Sequence, residues 1–600
     1  MRVHKGTALI ATVAALALVL SACSSSKKST GGSTTGNGGS SQTGGTKGLG
    51  NLADCATKPN TCNSASVKGG GTLTYVLEKT ISGWNVNTSN SNTFEFVEVM
   101  DGVSPAVFLA TPDLKPFLNT DLMVSAEQTN ANPQTIVYKI QPGAVWSDGT
   151  PINYDDFYFL WKTNDGATCV TGKDKDGNPV NPCDPASTAG YSQIKDMTSS
   201  DNGKTVTVTM ATPFRDWQSM FGNFYPAHIG LQHGDMKSAA GMGKEVQWFD
   251  TTQPTWSGGP YIVQSSIKDT SVTEVPNPKW YGKVKASLDK LVFRIITDQT
   301  QEVPAFQNNE VQAMYPQPNA DLVQQIQAIQ GASSYLGKGL QWEHLDFNEA
   351  NPLLKDVKLR SAIFTAIDRK QIISKTIGQF VSGATPLGSH MYVPGQGGYT
   401  DNVTASDQGN GDVAKAKSIL TAAGYTGVGT DLKTPSGQSV SIRCSFTTGN
   451  VLRSQTCQLI QSELSALGIK VTPTPLQSLG GALSKGDFDL IIFAWVDTPY
   501  AVAGAQQLFT LNGGNDYGKN NDPAMEAKIN AAGDPSLTDA QVQADLNAAD
   551  QMLIADAYEL PLYQKPTFTV MYNDIANLRD NATSVGPPYN VQEWGVRASS

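Results

Sequence analysis

Six hundred residues exceed what one ordinary hydrophobic core organises, so two or three domains or one large two-lobed body are expected. A formal charge of −10, with 16% charged residues and no basic block beyond the amino terminus, excludes a general nucleic-acid surface. The composition is that of a soluble protein, with ordinary aromatic content and many Gly and Pro.

The first 22 residues read as a leader. Arg2, His4 and Lys5 make a positive start, and Ala8 to Leu20 form an apolar run too short for a comfortable membrane span. The run ends Leu20-Ser21-Ala22-Cys23, which resembles the lipobox of bacterial lipoproteins. That resemblance implies cleavage before Cys23 and a diacylglycerol on its thiol. Several acyl chains hold a protein stably on a bilayer, so the chain is expected on the extracytoplasmic face of the cell membrane. An ordinary secretory leader that happens to contain a Cys is the alternative. The Gly/Ser/Thr-rich stretch that follows cannot bury a core, and residues 23–67 are expected to be a flexible tether.

Without Cys23, six cysteines remain in three close pairs: Cys55 with Cys62, Cys169 with Cys183, Cys444 with Cys457. An exported chain with an even count invites disulfides, and of the fifteen possible pairings the sequential one closes short local loops. It is the pairing expected, each bridge adding roughly 2–3 kcal/mol. The spacings do not resemble CxxC ligand pairs and no His accompanies them, so no structural metal is expected.

In chain order, Thr72 to Leu77 predicts a strand and Gly83-Trp84 a turn. A strand at Thr135 to Ile140 leads through turns at Pro142-Gly143 and Asp148-Gly149 into an amphipathic helix carrying Asp155, Phe157, Leu160 and Trp161. KTVTVTM (204–210) and GGPYIVQSS (258–266) predict further strands, and LDKLVFRIITDQTQEVPAFQNNEVQAMYP reads strand, helix, strand. In the second half, VKLRSAIFTAIDRKQIISKTI (357–377) has apolar residues at helical spacing, and a helix in DVAKAKSILTAAGY is capped by Gly424. QSVSIRCSF, GIKVTPTPL and FDLIIFAWV predict strands, with a helix ending at Gly468 between the first two. Strands alternating with helices mark an α/β lobe, and two such bodies are expected, the first enlarged by inserted strands.

The familiar catalytic motifs are missing. His228 and His233 lack the HExxH order, and there is no Walker A run, no GxSxG elbow and no GxGxxG after a strand. Asp174 and Asp176 before Gly177 echo a calcium loop only in part, since the closing Glu is absent, and a solvated turn is the expected role. In WSDGTP, Asp148-Gly149 followed by Thr150-Pro151 is a turn prescription before it is a site.

Several stretches together resemble the extracytoplasmic solute-binding lipoproteins of ABC importers, in the oligopeptide, dipeptide and nickel branch called family 5. They are GTLTYVLE, YKIQPGAVWSDGTPINYDDFYF, GGPY, LDFNEANPLLKDVKLRSAIFTAIDRKQI, AKSILTAAGY, ELSALGIKV and LPLYQK, in the family's order from about residue 70 to 565. The resemblance implies an α/β, bilobal periplasmic-binding-protein-like fold of type II, with an extra subdomain in the first lobe. Residues 68–340 plus 561–600 would form the first lobe and 341–560 the second, with crossovers near QWEHLDFN and LPLYQK.

The resemblance further implies an interlobe cleft that closes over an extended ligand, a peptide first, and passes it to an ABC permease. Neither catalysis nor a cofactor is implied, and the protein is expected to act as a monomer. In the family's peptide binders an acid just after a Trp holds the ligand's amino group, which assigns Trp495 as pocket wall and Asp497 as the acid. The family pattern places the acid three residues after the Trp, and here Asp497 is two after it, with Thr498 third. Either the turn is one residue shorter and Asp497 still reaches the cleft, or that contact is lost. Glu78, Trp84, Trp342 and His344 are further ligand-binding candidates, with Trp342, His344 and Asp346 on one face of the crossover strand. Oligosaccharides and metal or haem complexes are alternative ligands of the same fold, and an envelope hydrolase is the distant alternative.

Overall fold

Short apolar runs bounded by Gly, Pro and Asp close into one mixed sheet of ten strands. The structure is a computed structural model, and it describes residues 52–175, 179–511 and 513–598. The leader, Cys23, Asp176 and Gly177 lie outside the described residues.

In chain order the ten strands are β1 (Thr72–Leu77), β2 (Tyr261–Ile267), β3 (Ser271–Pro276), β4 (Lys290–Ile295), β5 (Ala313–Met314), β6 (Ala332–Phe347), β7 (Ser441–Thr447), β8 (Lys470–Leu476), β9 (Leu490–Val496) and β10 (Glu559–Tyr572). Their spatial order is β2-β3-β4-β1-β5-β10-β6-β9-β7-β8. Pairing is parallel for β4 with β1, β1 with β5, β9 with β7, and β7 with β8. The long strands β6 and β10 pair antiparallel at the centre and join the two ends. A separate four-stranded antiparallel sheet, built from Met123–Ala131, Gln134–Ile140, Thr205–Met210 and Ile194–Ser200, carries the helix Tyr154–Asn164. That helix starts with a capping box, in which the Asn153 side chain and the Asp156 side chain satisfy each other's backbone N–H groups.

The apolar residues sort into clusters on either side of the β6–β10 pair. One gathers side chains such as Leu73, Tyr75, Trp146 and Tyr261, and a smaller neighbour includes Phe306 and Val570. Two more draw on later residues, one around Leu359, Ile363 and Leu490 and the other around Ile491, Phe493 and Leu546. Successive residues of β9 thus point into different clusters, the mark of a strand covered on both faces. Each such large apolar side chain contributes about 1.5–3 kcal/mol of burial.

Two expectations change. Residues 52–67, expected as the end of the tether, pack onto the body: Leu52, Cys55 and Cys62 are buried in the first cluster, and Val67–Lys68 pairs with Gly595–Arg597. The run 357–377 is two helices, Val357–Ala366 and Arg369–Lys375. Asp368 caps the second by accepting from Gln371 N. The break lets Arg369 turn its buried guanidinium to the Leu387 and Pro561 carbonyls. The cysteines are bridged as Cys55–Cys62, Cys169–Cys183 and Cys444–Cys457. Among the described residues no helix is long and apolar enough to cross a membrane.

WSDGTP is a turn. Gly149 takes φ +91°, Thr150 N donates to Asp148 Oδ1 at 2.8 Å, and His228 Nε2 meets Asp148 Oδ2 at 2.8 Å.

Candidate functional site

In a parallel sheet, the loops that follow the carboxyl ends of the strands outline the natural crevice. Here the residues after β1 (Glu78, Lys79), after β5 (Tyr315, Gln317) and after β9 (Asp497, Thr498) line one cavity of about 240 Å³. A second cavity of about 290 Å³ adjoins it, and Asn92, Val97, Thr498, Gly504 and Gln507 line both. Together they form an elongated site of mixed polarity, in the size range of small-ligand pockets.

Trp495 forms part of the wall of the first cavity. Its ring lies near-parallel to those of Tyr517, with centroids 5.9 Å apart, and His344, at 5.4 Å. Its indole N–H donates to Glu559 Oε2 at 3.4 Å.

Asp497 follows on the same face as Trp495, with its backbone N–H bonded to the Leu340 carbonyl at 2.9 Å. Its Oδ1 accepts the Trp342 indole N–H at 2.9 Å. Its Oδ2 is buried without a hydrogen-bond partner in the protein. Burial pushes the carboxyl up to about 7, with the Trp342 hydrogen bond opposing. The acid therefore stands at the cavity wall with one oxygen uncommitted, and Thr498, one residue on, lines the cavity as well.

Glu78 also lines the cavity, but both of its oxygens are engaged. Gln299 Nε2 donates to one at 2.6 Å and the Gln317 backbone N–H to the other at 2.8 Å, so the carboxylate braces the 315–318 loop. Trp342 and His344 are buried beneath the wall rather than on it, at 1% and 0% exposure. Trp84 packs edge-on against Phe96, centroids 5.7 Å apart, and lines neither cavity. Of the six candidates, the fold brings Glu78, Trp495 and Asp497 to the cavity and leaves Trp84, Trp342 and His344 outside it.

Three cations at the cavity escaped the sequence reading: Lys79, Arg453 and Lys565. Lys79 pairs with Glu95. Arg453 and Lys565 converge on the fully buried Glu343, Lys565 Nζ at 3.6 Å from its Oε2. Burial alone would raise the Glu343 carboxyl, but the Arg453 and Lys565 charges outweigh it and hold Glu343 below the usual range. Burial lowers Lys565 to about 8, against the pull of Glu343. Lys565 sits in LPLYQK, yet on a strand covered on both faces no alternation singles it out.

The adjoining cavity is more neutral, lined by Asn, Ser and Gln side chains with Asp101 and Asp121. Asp101 Oδ2 is buried without a partner, and burial raises its carboxyl well above the ordinary value.

Residues 118–517 match the family described as bacterial extracellular solute-binding proteins, family 5 Middle. The chain belongs to this family. The oligopeptide-binding protein OppA of Mycobacterium tuberculosis is 28% identical over 533 residues, covering 86% of this chain and 84% of OppA. The solved structure of the periplasmic EDTA-binding protein EppA is 36% identical, covers 90% of this chain and 99% of its own, and superposes with a TM-score of 0.79. AppA of Bacillus subtilis, solved with a nonapeptide, is 18% identical with a TM-score of 0.75, covers 89% of this chain and all of its own, and bears on the fold alone. The family is one of solute-binding proteins, and the fold is a mixed α/β type II periplasmic-binding-protein fold.

Proposed function

We propose that the protein is the lipid-anchored, extracytoplasmic receptor of an ABC importer, capturing a short extended solute, a peptide first, and handing it unchanged to its permease. The observation that carries the ligand assignment is the buried, uncommitted Oδ2 of Asp497 in a cavity that also presents Lys79 and Lys565. An acid and amines in one elongated site suit a zwitterion whose ammonium meets Asp497 and whose carboxylate meets a lysine. OppA, whose name states oligopeptide binding, supports the same class.

The two lobes are residues 68–340 with 561–600, and 341–560, hinged on β6 and β10. This division accords with cavity walls drawn from both halves of the chain and from Arg453 across to Glu78. Cys23 carries the lipid, and the segment after it spaces the body from the membrane. The receptor works as a monomer and without catalysis; incubation with peptide and analysis for products tests the latter.

A second reading, a metal chelate, is favoured by EppA, 36% identical to this chain, whose name states EDTA binding. Mass spectrometry of solute co-purifying with the protein, followed by thermal-shift titration with peptide and metal–EDTA panels, separates the two. Ligand at 100 times its Kd adds about 2.7 kcal/mol of stability. No shift with either panel refutes both readings.

A further inference from the structure

Beneath Trp495, on the central strand pair, lies a group of polar side chains that solute capture does not use. Asp346 of β6 stands directly opposite Glu559 of β10, and His344, two residues before Asp346, shares their face. One donor atom from each of the three lies within 4.8 Å of the others, and His344 Nε2 is 4.0 Å from Glu559 Oε1. Their exposures are 0%, 1% and 1% for His344, Asp346 and Glu559.

Neither ring nitrogen of His344, neither oxygen of Asp346, and not Glu559 Oε1 has a hydrogen-bond partner in the protein. Two carboxyls and an imidazole buried together in this way are costly, because five of their six polar atoms give up water without a protein hydrogen bond in return.

We propose that His344, Asp346 and Glu559 bind a divalent transition-metal ion, Zn²⁺ being the best match to one imidazole nitrogen and two carboxylates. A cation would supply the missing partner to all three at once. Zn²⁺ takes nitrogen and carboxylate oxygen at about 2.0–2.2 Å in tetrahedral geometry, so its donors sit roughly 3.3–3.6 Å apart. The observed spacing, 4.0 Å between His344 Nε2 and Glu559 Oε1 and up to 4.8 Å within the set, needs a contraction of up to about 1.5 Å to reach this. Calcium and magnesium prefer six or more ligands, nearly all oxygen, which these three side chains do not offer, and the fourth zinc position falls to the second Asp346 oxygen, which is also without a partner. No metal is expected from the sequence, whose Cys spacings, His order and incomplete calcium loop fit no ligand motif; His344, Asp346 and Glu559 come from two strands far apart in the chain.

The remaining Glu559 oxygen accepts the Trp495 indole N–H, so the ion orients the wall of the solute cavity through one hydrogen bond. The role is structural and independent of which solute binds.

The test is metal analysis of the mature chain, produced in Zn²⁺-supplemented medium without chelator and passed over an immobilised chelating resin that cannot enter the cavity. About one Zn²⁺ per chain is expected, released on unfolding. Refolding with Zn²⁺ alone should raise Tm over refolding without it. In Asp346→Asn/Glu559→Gln, chosen for near-identical shape, the metal falls below about 0.1 per chain, whereas Asp497→Asn in the solute cavity retains it. Metal-free wild type whose Tm ignores Zn²⁺ on refolding overturns the proposal and leaves the cluster a set of protonated acids. Metal that persists in the double variant overturns it too, by placing the ion elsewhere. Should the double variant fail to fold, His344→Gln is read for the same loss.

Discussion

Replacing Asp497 by Asn separates a ligand-ammonium contact from a merely structural acid. Asn keeps an Oδ1 that can accept the Trp342 indole, so the wall is preserved while the charge and the acceptor at Oδ2 change. Removing one member of a buried, hydrogen-bonded charge pair costs about 2–5 kcal/mol of binding. Asn retains a dipole that still faces the ammonium, so the low end applies: about 2–3 kcal/mol, or roughly 30- to 150-fold in Kd. Isothermal titration with the co-purified peptide and its N-acetylated form is the assay, and the acetylated form should change less than about threefold.

The pH dependence sharpens this prediction. Burial pushes Asp497 up to about 7 in the free protein, so below that pH it must release a proton before it takes an ammonium. Kd for the free-amine peptide therefore rises about tenfold per pH unit below 7 in the wild type until it levels off about 1.5–2 units lower, where the 30- to 150-fold contribution is lost, and this acid limb vanishes in Asp497→Asn. Stability has the opposite sign. The folded pKa lies above the roughly 3.9 of the unfolded chain, so ionisation increasingly favours unfolding as pH climbs from about 4 to 7. Asp497→Asn should thus raise the Tm of the ligand-free protein at pH 8 and leave it nearly unchanged at pH 4. Equal losses for both peptides, or an acid limb that survives the substitution, would refute the amino-group role.

Three further outcomes are expected. Glu343→Gln leaves Arg453 and Lys565 buried beside no full countercharge and should cost about 3–5 kcal/mol in urea unfolding; a loss under about 1 kcal/mol would mean the network is solvated. Removing the Cys444–Cys457 bridge by double Ser substitution, which opens a loop of sequence separation 13, should lower stability by roughly 2–3 kcal/mol, read by calorimetry under non-reducing conditions. Cys23→Ala should move the protein from the membrane fraction to the soluble fraction without changing solute affinity, and unchanged fractionation would exclude the lipid anchor.

Local structure was readable because its causes are local. The strand at residues 72–77, the helix carrying Phe157, Leu160 and Trp161, and the Gly424 and Gly468 helix stops each follow from alternation, helical spacing or a glycine's freedom of φ. The break at Asp368 was hidden because apolar spacing runs on through it. The distant Leu387 and Pro561 carbonyls, which take the Arg369 guanidinium, join the Asp368 cap in favouring two helices.

The site divides in the same way. From the sequence alone come the expectation of an exported chain, the likeness of ordered motifs to one family, and Trp495 and Asp497 at the end of an apolar strand. What each side chain meets was decided by the tertiary structure. Along QWEHLDF, both faces of β6 are covered, so hydrophobicity carries no record of which neighbour waits on either side. The pairing with β10 sends Glu343 toward Arg453 and Lys565, and His344 and Asp346 toward Glu559 on the opposite face. Those partners are brought together only by strand register, which depends on the whole sheet closing and on no single stretch of the chain.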